Sequence, residues 1–325
     1  MLTPVTIMVI DRLPKHNTGA LVKEVNEFIF DDAAIVACLL RQWDIPTGMI
    51  GTAVGDDLRG HELARQLAEW SVQGEVRFDK NIKTPHEVNV SDKTGARTYF
   101  WERMPEVLKT LDTADLSMLQ GSRLMYADWY DGDHILRAMD EAIQLDVPVF
   151  LNLEHGHKDA QVLKKYAGRA TICQAVTDAA QLGRKAALIN TAKKLLKTGV
   201  KTALITLAGG GCLAAQGNQI IRVYAPTVKV IDGCGAGATF SAGYIYGHLH
   251  GWNLEDSVRF AIAAASLKVT RAGLQMFPVQ EIKAVATTLK MEHLVFDGNQ
   301  FLKIKEFLSF PKSALTKNSH PKRRQ

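Results

Sequence analysis

The segment best suited to chemistry is a run of small residues between an apolar stretch and a helical pattern. The apolar stretch ends at Val230 and Ile231, and Gly235, Ala236 and Gly237 lead into the helical pattern. Backbone N–H groups at such a helix start can point into one concavity, which suits a phosphate or the charge that develops during phosphoryl transfer. Close packing of a helix on a strand would also select small residues, so spacing alone leaves both interpretations open.

The elements around this run alternate between strands and helices. Short apolar runs predict strands, and longer periodic patterns predict helices. The strands fall at 123–127, 147–153, 171–174 and 200–207, and the helices at 133–145, 186–196, 238–250 and 254–271. This alternation predicts an α/β fold with a central, mostly parallel sheet flanked by helices.

Two other regions predict a separate β element. Residues 20–31 alternate apolar and polar side chains, and residues 86–101 hold two short strands around the turn-rich segment 91–96. These strands cannot all join a parallel sheet, so we expect a small β-lid built from about 20–31 and 86–101. So small a sheet would leave one apolar face uncovered, which favours a homodimer formed through the lid.

The composition is that of an ordinary folded chain. Its 325 residues are 46% hydrophobic and 22% charged, with a net charge of +5, and we expect one domain over 1–310. No apolar run is long enough for a membrane helix, and basic and aromatic residues do not combine into a nucleic-acid surface. The four cysteines lack C-x-x-C spacing, which disfavours disulfides and zinc and favours a cytoplasmic location.

The C-terminal end differs in charge from the rest of the chain. Residues 311–325 contain basic residues without nearby acids, namely Lys312, Lys317, Lys322, Arg323 and Arg324. This pattern predicts a solvated, disordered tail in preference to a segment that contacts nucleic acid or an acidic surface.

The run from Asp232 to Phe240 resembles the signature D-T-x-G-A-G-D-x-F of ribokinase-like (PfkB) carbohydrate kinases. Further segments resemble other family motifs in the family's order: 11–14, 51–60, 93–100, 206–211 and 268–275. Ketohexokinase-like members are the most similar, on 149–153 and 273–275. The resemblance implies a ribokinase-like fold that transfers the γ-phosphoryl group of ATP, with Mg²⁺, to a hydroxyl of a sugar or nucleoside.

The resemblance also assigns site residues. It places Gly235, Ala236 and Gly237 in the anion hole, next to the position of the catalytic base. The implied nucleotide-binding residues are Thr206, Gly209, Gly211, Asp232, Lys268 and Gly273. The implied substrate residues are Asp31, Asp32, Arg97, Tyr99, Asn152 and Glu154. Mg²⁺ is implied, but no definite metal ligand is.

The sequence departs from the family at the position of the base. Ala238 stands where the family has the aspartate that accepts the proton of the sugar hydroxyl. Alanine cannot take a proton, and losing a general base typically costs about 10²–10⁴ in rate.

Four further departures affect the sugar, metal and nucleotide positions. Asp31 and Asp32 replace Gly-Gly, and Val36 replaces an asparagine. No aspartate ends the first strand near residues 5–6, and that strand is nearly absent from the pattern. Residues 173–178 lack both residues of the N-x-x-E motif, and Ala208 replaces a glycine.

These departures leave two interpretations open. The favoured one is a carbohydrate kinase whose activity is impaired or lost. The alternative is a non-catalytic pseudokinase that binds a nucleotide or acts as a scaffold. A dinucleotide-binding oxidoreductase is disfavoured, because no G-x-G-x-x-G turn follows the first strand.

Overall fold

The computed structural model describes residues 1–102, 104–177, 184–296 and 301–306, so the basic tail lies outside the described residues. The strands are β1 (Thr3–Ile10), β2 (Val22–Phe30), β3 (Val54–Gly55), β4 (Phe78–Asp79), β5 (Glu87–Ser91), β6 (Arg97–Trp101), β7 (Met125–Asp128), β8 (Val149–Asn152), β9 (Ile172–Val176), β10 (Thr202–Thr206), β11 (Cys212–Gln216), β12 (Gln219–Val223), β13 (Met291–Phe296) and β14 (Phe301–Glu306). The helices are α1 (Asp32–Gln42), α2 (Leu58–Glu69), α3 (Pro105–Leu108), α4 (Leu136–Gln144), α5 (Ala160–Tyr166), α6 (Lys185–Lys197), α7 (Ala236–Leu249), α8 (Leu254–Lys268) and α9 (Val279–Thr288).

The central sheet has eight strands in the order β14-β13-β12-β11-β10-β9-β8-β7. Strands β7 to β10 are mutually parallel, and the pairings from β10 to β14 are antiparallel. The sheet is therefore mixed, and the expectation of a mostly parallel sheet holds for one half only. Short connections join β10 to β11 and β11 to β12, and strands joined by tight turns can only pair antiparallel, whereas β13 reaches β12 after the long segment 224–290.

Helices cover both faces of this sheet, as the alternation of elements predicts. Neighbouring residues of one strand point to opposite faces, so Phe150 joins the core beneath α1, α7 and α8, whereas Leu151 joins the core beneath α4 and α6. Helices α7 and α8 can lie close together because Gly243 has no side chain. A Cβ at this position would lie only 2.7 Å from Cα of Ala261. In the described ranges, none of the helices is both long and apolar enough to cross a membrane.

A second sheet of four strands, in the order β2-β1-β5-β6, lies beside the start of α7. We call it the small sheet. It contains the three strands expected from 20–31 and 86–101, and β1 as well. The expectation that the first strand is nearly absent is wrong, because β1 pairs antiparallel with β2 and parallel with β5. Alternate residues of β1 are buried, and Val5 and Ile7 form a cluster with Cys234 just ahead of α7.

Candidate functional site

The run of small residues forms the start of α7, two residues earlier than its pattern indicates. Gly235 caps the helix with φ 73°, in the left-handed region that favours glycine. A Cβ there would also lie 3.0 Å from Cδ1 of Ile35. The amide of Ala236 donates to the carbonyl of Gly233 at 3.3 Å, so it is already in use. The amides that follow in the first turn have no intrahelical acceptor to reach, and they make a smaller anion site than the sequence predicts.

A cavity of about 360 Å³ opens in front of this helix start. It is lined by Gly233, Gly235, Ala236 and Gly237, by Asp31 and Asp32, by Glu87, Arg97, Tyr99 and Trp101, and by Leu108, Tyr130 and Glu154. The predicted substrate residues Asp31, Asp32, Arg97, Tyr99 and Glu154 are therefore brought together. The remaining one, Asn152, is fully buried behind them.

Asn152 connects three carboxyl groups, those of Asp128 and Glu154 at the ends of the parallel strands β7 and β8 and that of Asp32 at the start of α1. Its Nδ2 donates to Asp32 Oδ2 at 3.0 Å and to Glu154 Oε1 at 2.9 Å, and it lies 3.4 Å from Asp128 Oδ2. Asp128 and Asn152 end β7 and β8 and are paired in register. Carboxyl ends of parallel strands meet at one edge of a sheet, which is where ligands bind in open α/β folds.

Burial raises the pKa values of the three carboxyl groups of this cluster, and neighbouring carboxylates add to the rise at Asp32 and Asp128. Burial, followed by the charges of Glu154 and Asp31, raises the pKa of Asp32 to about 7. Burial and then Asp32 raise the pKa of Asp128, and burial raises that of Glu154. The cluster therefore holds a proton near neutral pH, which makes it able to exchange protons with a bound molecule.

The opposite wall of the cavity comes from β6. Arg97 Nε lies 3.8 Å from the position that a Cβ would take on Gly233, and its charge lowers the pKa values of Asp32 and Glu154. Tyr99 stacks on Trp101 with ring centroids 4.9 Å apart. The cavity thus combines a guanidinium, aromatic faces and carboxyl groups, a set that suits a polar ring-shaped molecule.

Asp31 acts as the N-cap residue of α1 with φ 92°, in the region that favours glycine. Its Oδ2 lies 2.5 Å from the amine of Met1, which also contacts Asp131 Oδ2 at 2.5 Å. Asp31 is therefore held by other residues of the chain, and Asp32 is the member of the pair that contacts Asn152.

The glycines after β10 form a hairpin turn rather than an open loop. Gly210 donates to Leu207, and Gly211 donates to Ala208 at 3.1 Å, which closes the turn. Gly211 has φ 87°, and a Cβ there would lie 2.2 Å from the carbonyl oxygen of Val223. Gly209 is exposed, and Thr206 ends β10 with its hydroxyl donating to Ala175 at 3.3 Å. The turn leaves Thr206 and Gly209 at the same sheet edge as the cavity, on its β10 side.

Asp232 and Lys268 do not offer their side chains to a nucleotide. Lys268 Nζ lies 2.7 Å from Asp232 Oδ2, and the two side chains are 1% and 0% exposed. Asp232 also accepts from Ser91 Oγ at 2.9 Å and from the amides of Cys234 at 2.9 Å and Gly273 at 3.2 Å. Asp232, Lys268 and Gly273 therefore join the small sheet, α7 and α8 to one another, and their assignment to nucleotide binding stays a prediction.

Sequence reasoning missed some residues of the site. Glu87 lines the cavity, beside Trp101 and Tyr130, which the sequence offers as candidates, and Gln174 supports it from β9. Gln174 Nε2 donates to the Gly237 carbonyl at 3.4 Å, and its Oε1 accepts from Ser241 Oγ at 2.8 Å. A polar residue in the apolar strand 172–176 was the available signal, since a buried amide requires partners.

The described residues do not form a metal site of their own. Among them, no group of three His, Cys, Asp or Glu side chains has an arrangement that could hold a metal ion. Gln174 is occupied by Gly237 and Ser241, and Asp178 lies outside the described residues. Among the residues that the structure describes, the Mg²⁺ implied by the resemblance therefore has no fitting set of protein ligands.

Comparisons with known proteins show which family the sequence matches. The model of the pfkB family of carbohydrate kinases matches residues 32–281. An ATP-dependent 6-phosphofructokinase of Thermoanaerobacterium thermosaccharolyticum is 22% identical over 258 residues, which cover 75% of this chain and 80% of that protein. Three further curated relatives match over only 33% to 34% of their own length, whereas an Arabidopsis thaliana ribokinase, 25% identical over 284 residues, is matched over 73% of its length and 81% of this chain.

Solved structures share the fold. Arabidopsis thaliana ribokinase complexed with ribose and ATP has a TM-score of 0.67 at 20% identity, covering 88% of this chain and 96% of that one. A Burkholderia thailandensis nucleoside kinase in complex with inosine has a TM-score of 0.72 at 17% identity, covering 88% and 94%. The architecture is ribokinase-like, with a central mixed sheet flanked by helices. Since the family model spans most of the sequence, the chain belongs to the pfkB family of carbohydrate kinases.

Proposed function

We propose that the protein transfers the γ-phosphoryl group of ATP to a hydroxyl of a sugar or nucleoside, at a rate lowered by the alanine at position 238. The observation that carries this proposal is the shared space in front of α7. There, the amides of the first helical turn border the same cavity as Asp32, Arg97 and Glu154. A phosphoryl group and an acceptor hydroxyl can therefore meet in one place.

Each wall of the cavity supplies one part of this chemistry. The acceptor lies between the β6 side chains Arg97 and Tyr99 and the α1 side chain Asp32. The nucleotide approaches from the β10 side, past Thr206 and Gly209, so that its terminal phosphate reaches the start of α7. The amides there stabilise the negative charge of the transferring phosphoryl group. Mg²⁺ that accompanies the nucleotide would be held chiefly by phosphate oxygens.

Ala238 explains why we expect a slow reaction. It is fully buried in the first turn of α7, where the resemblance places the family's proton acceptor. Without a carboxylate at this position, the reaction loses a contribution of about 10²–10⁴ in rate. Positioning of the two reactants and the helix-start amides still operate, so a residual activity is retained.

A non-catalytic protein that binds a nucleotide or acts as a scaffold is the second candidate. Ala238 and the two carboxylates Asp31 and Asp32 favour it, because carboxylates in the acceptor cavity repel phosphorylated sugars.

Three further points belong to the proposed kinase function. They are a particular similarity to ketohexokinase-like members, a cytoplasmic location and a homodimer formed through the small sheet.

Calorimetry tests nucleotide binding, which the kinase and the nucleotide-binding pseudokinase both require. The purified protein is titrated with ATP and with ADP, each with and without Mg²⁺, and its thermal unfolding is followed in parallel. We expect binding, because the α7 amides and the turn at Gly209 are retained. No heat and no thermal shift at millimolar nucleotide would contradict nucleotide binding and leave the scaffold role.

A further inference from the structure

Glu154 presents its carboxylate to the helix start that lacks a base. Its Oε1 lies 3.7 Å from the position that a Cβ would occupy on Gly237, and its side chain lines the cavity. Gly237 directly precedes Ala238. A carboxylate of this chain therefore lies beside the point where the phosphoryl group and the acceptor hydroxyl meet in the proposed function.

The position of Glu154 is fixed by its neighbours. Asn152 Nδ2 donates to its Oε1 at 2.9 Å, and its backbone carbonyl lies 3.0 Å from His157 Nδ1. Its backbone φ of 45° lies in the left-handed region, which residues other than glycine rarely adopt. Backbone strain of this kind is retained where the surrounding structure holds a functional side chain in place.

From this placement we infer that Glu154 accepts the proton of the acceptor hydroxyl and so replaces part of the function missing at Ala238; this inference rests on the proposed function. The hydroxyl oxygen forms a bond to the γ-phosphorus of a nucleoside triphosphate while its proton passes to the Glu154 carboxylate. The bond from the γ-phosphorus to the leaving diphosphate breaks, and its electron pair stays on the diphosphate oxygen. Glu154 then releases the proton to water.

The charges facing Glu154 are consistent with this role. Burial raises its pKa, whereas the hydrogen bond from Asn152 and the charges of His155 and Arg97 lower it. Asp32 and Asp128 share the Asn152 amide with it, and Asp31 acts on the pKa of Asp32 in the same cluster. A carboxylate with a raised pKa is a better proton acceptor near neutral pH than a free one.

The test compares Glu154→Gln, which keeps the shape and the hydrogen bond to Asn152, with Glu75→Gln at an exposed position. Acceptor-dependent ADP release is measured together with ATP binding by calorimetry and thermal unfolding. We expect Glu154→Gln to lower turnover about tenfold or more with nucleotide affinity unchanged, and Glu75→Gln to change neither. Glu154→Asp, with its shorter carboxylate, should keep part of the activity.

Several outcomes overturn the inference. Folded Glu154→Gln with full turnover and normal ATP binding would contradict it and leave the proposed function intact. Absence of turnover and of nucleotide binding in the unmodified chain would contradict the proposed function itself. The pH profile of the unmodified chain needs no variant: turnover should rise as a carboxyl group ionises, and a profile without such a step would also contradict the role of Glu154.

Discussion

Lys268 in α8 forms a buried ion pair with Asp232. Asp232 also accepts hydrogen bonds from the small sheet, from the segment just before α7 and from the loop after α8. The distance between Lys268 Nζ and Asp232 Oδ2 is 2.7 Å. Ser91 of β5 and the amides of Cys234 and Gly273 complete the set of donors to Asp232. The position of the helix start therefore depends on an interaction that lies outside the cavity.

Removing one partner of this pair should destabilise the fold strongly. In Lys268→Met, the Asp232 carboxylate loses its charge partner without gaining water, which typically costs about 3–5 kcal/mol. The double variant Asp232→Asn/Lys268→Met should recover part of that loss, since no buried charge remains. Urea unfolding measures both, and a loss below about 1 kcal/mol in the single variant would show that the pair is not needed.

Gly235 should be irreplaceable in a way that Gly209 is not. Gly235→Ala forces a side chain into the left-handed region and against Ile35, so we expect a loss of about 1–2 kcal/mol and weaker nucleotide binding. Gly209→Ala is the matched control for stability alone, because no atom lies within 4 Å of its added Cβ. Thermal unfolding compares the stability of the two variants, and calorimetry measures nucleotide binding by Gly235→Ala against the unmodified chain. Equal stability of the two variants would contradict the structure assigned to the helix start.

Asp32 should make the protein less stable as the pH rises. Burial, Glu154 and Asp31 raise its pKa from 3.8 to about 7, so the folded state binds this proton more tightly than the unfolded chain does. The free energy of unfolding therefore falls between about pH 4 and about pH 7. Asp32→Asn should weaken this dependence and raise stability above neutral pH by roughly 1–3 kcal/mol.

Asp57 provides a control of opposite sign for the same urea-unfolding series. Burial raises its pKa, but hydrogen bonds from Thr84 and Gly60 outweigh that effect and lower it overall. Its stabilising contribution is present above the unfolded pKa and is lost as the pH falls, so Asp57→Asn should destabilise the protein above neutral pH. An Asp32→Asn variant that is also less stable there would contradict the raised pKa.

The small sheet should be the interface of a homodimer. Phe100 and Trp101 of β6 and Val25 of β2 are 62%, 53% and 56% exposed, a concentration of apolar side chains that favours association. Phe100→Lys should convert a dimer into a monomer in light-scattering measurements. Leu58→Lys is the control, because Leu58 is 86% exposed but lies at the start of α2. A monomeric unmodified protein at high concentration would overturn this interface.

The sequence alone predicts those parts of the site that depend on local backbone conformation. The small residues at 235–237 predict a helix start from their own conformational freedom, and the alternating patterns predict the strands β7 to β10 and the helices α4, α6, α7 and α8. Partners far apart in sequence were not predictable. Asp232 and Lys268 were assigned to a nucleotide, because nothing in either segment shows that they bind each other. The short turns after β10 indicate antiparallel strands, but the strand–helix alternation before them led to the prediction of a mostly parallel sheet.

The cluster around Asn152 shows a second limit. Asp31 and Asp32 have the residue types of a helix cap, and Asp31 does stand at the N-cap position of α1, although its carboxylate contacts the Met1 amine and makes no capping hydrogen bond. Whether Asp32 also reaches Asn152 and Glu154 depends on how α1 lies against the end of β8, which is a matter of tertiary packing. Such contacts set the pKa values of the site, and local pattern contains no information about them.

Acceptor-dependent ADP release over a panel of ketoses, aldoses and nucleosides tests the central claim most directly, with the unmodified chain and Ala238→Asp assayed side by side. The account predicts release that requires an acceptor and is at least about 10²-fold slower than the roughly 1–100 s⁻¹ of ordinary kinases. Ala238→Asp should restore little, since Asp31, Asp32 and Val36 remain in place of the family's sugar contacts. A gain of about 10²-fold in Ala238→Asp would show that Ala238 is the single lesion and that the acceptor contacts are intact, whereas no acceptor-dependent release by either protein, or ordinary turnover by the unmodified chain, would contradict the proposed function.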